Sequence, residues 1–244
     1  MSYGFDEIAL VPGRITVNPN EVDTTWRLPR RDQASLEFKY PILASAMDGV
    51  VDVHFAAEMS KLGALAVLNL EGVQTRYENP QEVLQQIVAA DKSEVTALLQ
   101  KIYTEPVRED LIAARVRQMK EAGAIAAVSS IPQKAERYGA IAQEAGADVF
   151  VVQSTVSTVE HISTEYESLD LRKFCSQMRI PVIVGNTVTY EVTLAIMECG
   201  PAAVLIGVGP GAACTSRGVL GLGVPQVTAT VDCAAARDAY FKKS

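Results

Sequence analysis

The chain has 244 residues, a net charge of −7, and 48% hydrophobic, 21% charged and 6% aromatic residues. That length suits one substantial core or two small ones, and the acidic balance argues against a nucleic-acid partner. No run approaches the ~20 apolar residues of a membrane span, and MSYGFDEIALVPG has acids where an export signal needs bases, so a cytoplasmic protein is expected.

In chain order, Trp26 is read as the anchor of an N-terminal arm, and Arg27, Arg30 and Arg31 as a solvated basic loop. YPILASAM (40–47) is the first candidate strand, with proline at its entry. Asp48 and Asp52 follow as ordinary helix N-terminal caps. KLGALAVLN (61–69), EAGAIAAVSS (121–130), EAGADVFVVQS (144–154) and ECGPAAVLIGV (198–208) share one design: a helix end, a glycine, then a short apolar run. Glycine suits the left-handed C′ position because it has no Cβ to clash. Unalternating apolar runs suit strands buried on both faces of a parallel sheet. Asn79-Pro80 offers an N-cap and first helical position, 80–122 reads as two or three helices without strands, and 70–122 as a whole as a helical insertion. PQKAERYGAIAQEAG (132–146) and TYEVTLAIMECG (189–200) are amphipathic helices, IPVIVGN (180–186) is a strand, and VTATVDCAAARDAYFKK is helix-like.

Six parallel strand–helix units build either an open doubly wound sheet or an α/β (β/α)8 TIM barrel. The barrel is favoured because polar or glycine-rich sequence follows nearly every strand (SAMDG, NLEG, SSIPQ, QSTVST, GNTVT), and a barrel gathers such loops on one face. Six of eight units are present, so the expectation is a single barrel domain over 1–244, truncated at its C-terminus and poorly folded and inactive by itself.

GVGPGAACTSRGVLGLGVPQ (207–226) places six glycines around Cys214. Glycine is retained where backbone turns sharply or approaches something closely. A thiol there is either a nucleophile, its thiolate favoured by surrounding N–H groups, or a buried structural cysteine. Thr215 and Ser216 offer hydroxyls for proton handling and Arg217 adds positive charge, whereas Cys175, Cys199 and Cys233 sit in helical patterns. The four cysteines lack metal-like spacing, and His54 and His161 form no HExxH, so reduced thiols and no zinc are expected; His161 is read as a surface or capping residue.

The 207–226 loop closely resembles the catalytic loop of the IMP dehydrogenase/GMP reductase family, GxGPGSxCTTR…GxGxPQ. FDEIALVPG, PILASAMDGV and VIVGNTVT resemble that family's N-terminal segment, first barrel strand and GGNVVT strand. Because 70–122 is too short for a CBS-domain pair, the chain is most similar to the short, CBS-lacking bacterial branch called IMP dehydrogenase-related.

The resemblance implies that Cys214 adds to purine C2 while hydride passes between C2 and NAD or NADP(H), with Ser216 in the position of a catalytic threonine beside Thr215. It further implies that Ser45, Met47, Gly211 and Ala212 contact a purine mononucleotide (IMP, XMP or GMP), and that Gln153, Ser154, Thr155, Asn186, Gly207 and Gly209 lie on the cofactor side. Carbonyls of Gly209, Gly211 and Cys214 would match a monovalent-cation site for potassium, and the family forms homotetramers. Three departures stand out: Ala212 for a phosphate-contacting serine, Gln153 for an aspartate, and Leu205 where some dehydrogenases carry arginine. Alternatives are a catalytically inactive nucleotide-binding or assembly partner, and a flavin-dependent barrel oxidoreductase.

Overall fold

The computed structural model describes residues 1–31 and 33–243; Asp32 and Ser244, the expected end of the domain, lie outside the described residues. The chain divides into two compact units.

The first unit comprises Thr25–Val152 and Met178–Val182. It opens on an antiparallel pair that the sequence does not advertise, β1 (Trp26–Leu28) and β2 (Leu36–Phe38), with Trp26 opposite Phe38. Three residues per strand are too few to show a period of two. The Trp26 ring stacks on Phe38 within this hairpin, ring centroids 4.8 Å apart. Arg27 stays in solvent beside Glu37, but Arg30 departs from the solvated-loop expectation: its side chain is 21% exposed and reaches Asp148 at 3.4 Å.

The expected strand 40–47 shrinks to β3 (Leu43–Ala44), because Pro41 has no N–H and Tyr40 and Ile42 spend theirs on Gly63 O and Tyr40 O. Then come α1 (Val53–Lys61), β4 (Leu65–Asn69), α2 (Val73–Arg76), α3 (Pro80–Ala89), α4 (Val95–Thr104), α5 (Glu109–Glu121), β5 (Ala127–Ser130), α6 (Pro132–Glu144) and β6 (Val149–Gln153). Asp52 caps α1, accepting from Phe55 N at 2.7 Å. Asn79 occupies the N-cap position of α3, but its side chain donates to Glu82 Oε1 at 2.6 Å and makes no cap bond to the backbone. Between β4 and β5 the stretch 80–122 carries three helices, α3, α4 and α5, within the expected two or three, and the single turn of α2 precedes them.

The strands β3-β4-β5-β6 are parallel neighbours in chain order, with Leu43 beside Leu65, Val67 beside Ala127 and Ala127 beside Val149. Leu65, Leu68, Val128 and Phe150 are fully buried, as are Ile112 and Met119 of α5, which explains why these strand runs do not alternate. Burial of each such side chain is worth about 2 kcal/mol. Gly63, Gly123 and Gly146 end their helices at φ +83°, +77° and +100°. After each, the next residue's N–H reaches back to close the helix: Ala64 to Met59 O, Ala124 to Met119 O and Ala147 to Ala142 O, all at 2.9 Å.

The second unit comprises Met1–Thr24, Gln153–Gln177 and the chain from Ile183. It carries α7 (Leu171–Gln177), β7 (Val182–Thr187), α8 (Tyr190–Glu198), β8 (Ala203–Ile206), α9 (Ser216–Leu220) and α10 (Gln226–Lys243). β7 and β8 are parallel, and α10 packs on α8, with Thr193 Oγ1 3.1 Å from the buried Cys233 Sγ. The N-terminal segment is pinned to the first turn of α10 by a two-way contact, Tyr3 N to Thr228 Oγ1 at 2.8 Å and Thr228 N to Tyr3 O at 3.2 Å. Six parallel strands, each leading into helix, make this an α/β chain with six of the eight units of a (β/α)8 barrel. Among the described residues no helix is long and apolar enough to cross a membrane.

Candidate active site

β8 ends at Ile206, and the glycine-rich loop begins with two residues in the left-handed half of backbone space, Gly207 at φ +130° and Gly209 at φ +68°. Both are also crowded. A Cβ on Gly207 would lie 2.6 Å from Gln226 Oε1, and one on Gly209 would lie 3.0 Å from both Leu222 O and Arg217 Cγ. The base of the loop is closed by Val224 N donating to Val208 O at 3.0 Å. The aliphatic stem of Arg217 runs between Gly209 and Gly223, which leaves no room for a side chain at either. These glycines are therefore packing requirements of one folded loop.

At the loop's far side Cys214 N donates to Gly211 O at 3.1 Å, and α9 starts two residues later. Cys214 is exposed, and its Sγ lies 3.4 Å from Ser216 Oγ. Hydrogen bonding by the Ser216 hydroxyl and then its backbone N–H holds the thiol below its usual range, and the positive charge of Arg217 adds to this. Cys175, Cys199 and Cys233 are buried, and burial pushes the thiols of Cys199 and Cys233 up. Thr215 occupies the N-cap position of α9, where its side chain makes no cap bond.

Beside the loop, β7 carries a bulge between Gly185 and Thr187, and the extra residue is Asn186. A bulge re-aims the side chain it carries. Here Asn186 Nδ2 donates to Gly207 O at 3.0 Å, joining strand and loop. The Gly185–Asn186 peptide is cis. Ser154 continues the ladder, donating to Gly185 O at 2.9 Å and accepting from Asn186 N at 3.1 Å. Its hydroxyl donates to Val156 O at 2.6 Å, with Ser157 Oγ at 3.0 Å.

Ser157 is a member of this cluster that sequence reasoning missed. It is 6% exposed, and its hydroxyl and N–H donate to Gly185 O and Asn186 O at 2.6 and 2.8 Å. Nothing in QSTVST separates Ser157 from its neighbours; only the bulge does. Gln226 was likewise missed, and donates to Ile206 O at 3.3 Å.

Asn186, Ser154 and Gly207 thus meet through hydrogen bonds, and Gly209, Gly211, Ala212, Thr215 and Ser216 share the loop of Cys214. Gln153 is half-buried at the end of β6, and Thr155 is exposed. A cavity of about 450 Å³ adjoins the loop, bounded by Pro210, Gly211 and Arg217 on one side and Gly4 to Glu7 on the other. Ser45 and Met47 belong to the first unit, on the exposed loop after β3. His161 is exposed and hydrogen-bonds Tyr166 at 2.7 Å.

Reactivity follows from this geometry. Under limiting iodoacetamide, Cys214 is expected to be alkylated first, with a pH–rate inflection below that of an ordinary thiol (about 8.5). Ser216→Ala is expected to move the inflection upward, because the thiolate loses its hydroxyl donor. Peptide mass mapping across a pH series checks both.

Residues 2–242 match the family model described as the IMP dehydrogenase / GMP reductase domain. The chain belongs to the IMP dehydrogenase/GMP reductase family. A family relative from Mycolicibacterium smegmatis, described as an uncharacterized oxidoreductase, is 35% identical over 100% of this chain and 65% of its own length. The inosine-5'-monophosphate dehydrogenase of Cryptosporidium parvum is 30% identical over 94% of this chain and 57% of its own. Among solved structures, an IMP dehydrogenase/GMP reductase-like protein from Corynebacterium glutamicum superposes with a TM-score of 0.89 at 31% identity, covering 100% of this chain and 63% of that one. The chain thus spans 57% to 65% of the length of these relatives.

Proposed function

We propose that the protein is a purine-nucleotide oxidoreductase in which the Cys214 thiolate attacks C2 of a purine mononucleotide. The observation that carries this reading is Cys214 itself: exposed, hydrogen-bonded to Ser216, and presented by a loop packed closely at Gly207, Gly209 and Gly223. In the dehydrogenase direction an S–C2 bond forms, the C2 hydrogen leaves with its electron pair, and water then cleaves the thioimidate to release Cys214. In the reductase direction the S–C2 bond forms with loss of ammonia, hydride enters at C2, and the thiolate leaves. NAD or NADP(H), when bound, takes or supplies that hydride.

The residues fit such groups in distinct ways. Ser216 holds the thiolate and is within reach of the proton that Cys214 gives up and regains. Asn186 and Ser154 spend hydrogen bonds on Gly207 O and Val156 O, so on the cofactor side they serve by holding the bulge and loop in place. Gln153 and Thr155 stand beside them for the cofactor. With Ala212 lacking a hydroxyl, the nucleotide phosphate is left to backbone N–H groups around Gly211. Met47, 58% exposed, offers an apolar surface for the purine, and Ser45 a hydroxyl. The Gly211 carbonyl already accepts from Cys214 N but keeps a second lone pair, so it remains able to ligate potassium together with the carbonyls of Gly209 and Cys214. Homotetrameric assembly belongs to the same proposal.

The test incubates the protein, expressed at the full length of its gene, with IMP and NAD, and separately with GMP and NADPH, following nicotinamide absorbance and the mass of the Cys214 peptide after acid quench. Turnover in one pairing, with a purine adduct on Cys214, is the expected result. Neither turnover nor adduct in either pairing overturns the reading.

A further inference from the structure

The loop after β3 holds Ser45 and Met47, and its own backbone bonds are few: Met47 N to Ser45 O, and Val50 and Val51 N to Met47 O, at 2.8, 3.0 and 2.9 Å. What holds it to its surroundings is a pair of carboxylates. Asp48, expected as a helix N-terminal cap, accepts from Val73 N at the start of α2 at 3.0 Å, and also from two further elements, Asn69 Nδ2 at the end of β4 at 3.2 Å and the Tyr103 hydroxyl on α4. Gly72 is part of the fit, since a Cβ there would occupy the space of the Asp48 carboxylate. Tyr103 is itself placed by the Arg76 guanidinium, 5.5 Å from its ring centroid. Four residues on, Asp52 accepts from Phe55 N and from Gln81 Nε2 of α3 at 2.9 Å.

We propose that α3 and α4, through Gln81 and Tyr103, clamp the Ser45–Asp52 loop, and that Tyr103 is a positioning residue for nucleotide binding through Asp48. The physical reason is that a hydroxyl donating to a carboxylate makes a charge-assisted bond, stronger than a neutral one. It ties the turn that carries Met47 to a helix 55 residues away in sequence. Removing that donor leaves Asp48 with Asn69 and Val73 only and lets the turn sample other geometries. The clamp stands on these contacts alone; its consequence for nucleotide binding rests on the reading of Ser45 and Met47 as nucleotide contacts.

The experiment uses Tyr103→Phe, which keeps the ring against Arg76, and reads two quantities. The first is amide hydrogen exchange at Met47, Val50 and Val51 without ligand, expected to quicken about tenfold, the factor that a lost charge-assisted hydrogen bond implies. The second is the dissociation constant for IMP and GMP, expected to rise about tenfold while the pH profile of Cys214 alkylation is unchanged. Unaltered exchange in a folded Tyr103→Phe overturns the clamp. Faster exchange with unaltered nucleotide affinity overturns the positioning role and leaves the clamp. A wild-type protein that binds neither nucleotide overturns both the proposed function and the positioning role, and the exchange data still decide the clamp. Should Tyr103→Phe fail to fold, Gln81→Ala at an exposed position provides the same exchange test at Val51 and the start of α1.

Discussion

On the proposed mechanism, Cys214→Ala is expected to lower nucleotide-dependent nicotinamide turnover of the full-length protein by at least about 10⁴-fold, because it would remove the atom proposed to form the bond to C2. The same substitution is expected to change stability by less than about 0.5 kcal/mol, since the side chain is exposed and leaves no cavity. The combination is the informative part. A loss of turnover with an unchanged melting curve assigns the defect to chemistry. Retained turnover moves the nucleophile elsewhere, and among the other cysteines only buried thiols are on offer. Ser216→Ala is expected to be milder, about 10²-fold, because it would remove the proposed proton-handling hydroxyl and leave the proposed nucleophile in place. Its effect is expected to be largest at low pH, where the thiolate most needs that donor. Steady-state kinetics across pH separate the two variants.

The second large effect is expected at Gly185, where alanine should cost about 3 kcal/mol of stability. Gly185 pairs with Leu205 across β7 and β8, and a Cβ there would lie 2.8 Å from Leu205 O and 3.0 Å from its Cα. Both are backbone atoms, so no side-chain rotation relieves the overlap. The strands have to separate at the point where the bulge sets Asn186 against Gly207. Denaturant unfolding measures the loss, and Cys214 alkylation provides a second view, because a displaced Gly207 unseats the start of the cysteine loop. An unfolding midpoint equal to wild type would mean that the strands are more loosely paired here than the register indicates.

Much of this architecture is legible along the chain. The repeated helix–glycine–apolar pattern predicts the positions of β4, β5, β6 and β8, and the structure places Gly63, Gly123, Gly146 and Gly200 at positive φ where the pattern puts helix ends. This works because both signals are local: a left-handed cap needs only its own turn, and a strand buried on both faces needs only a run of apolar residues. The β1–β2 hairpin and the shortening of β3 were not legible, since three-residue strands and a Pro41-limited ladder leave too little pattern to read.

The sequence by itself determines the class of fold, the family, and the identity of the unusual cysteine, because each rests on residues adjacent in the chain. Tertiary structure alone decides which groups surround them. Nothing near Asp48 in sequence predicts that it binds Tyr103 and not the helix beside it, and nothing in QSTVST marks Ser157 as the residue that holds the bulge. The glycine run predicts that something comes close to the loop, and only the folded structure shows that it is the Arg217 stem, between Gly209 and Gly223. The physical reason is the same in each case. A side-chain hydrogen bond or a close van der Waals contact is set by distance in space, and these pairs become neighbours only after the backbone between them has folded.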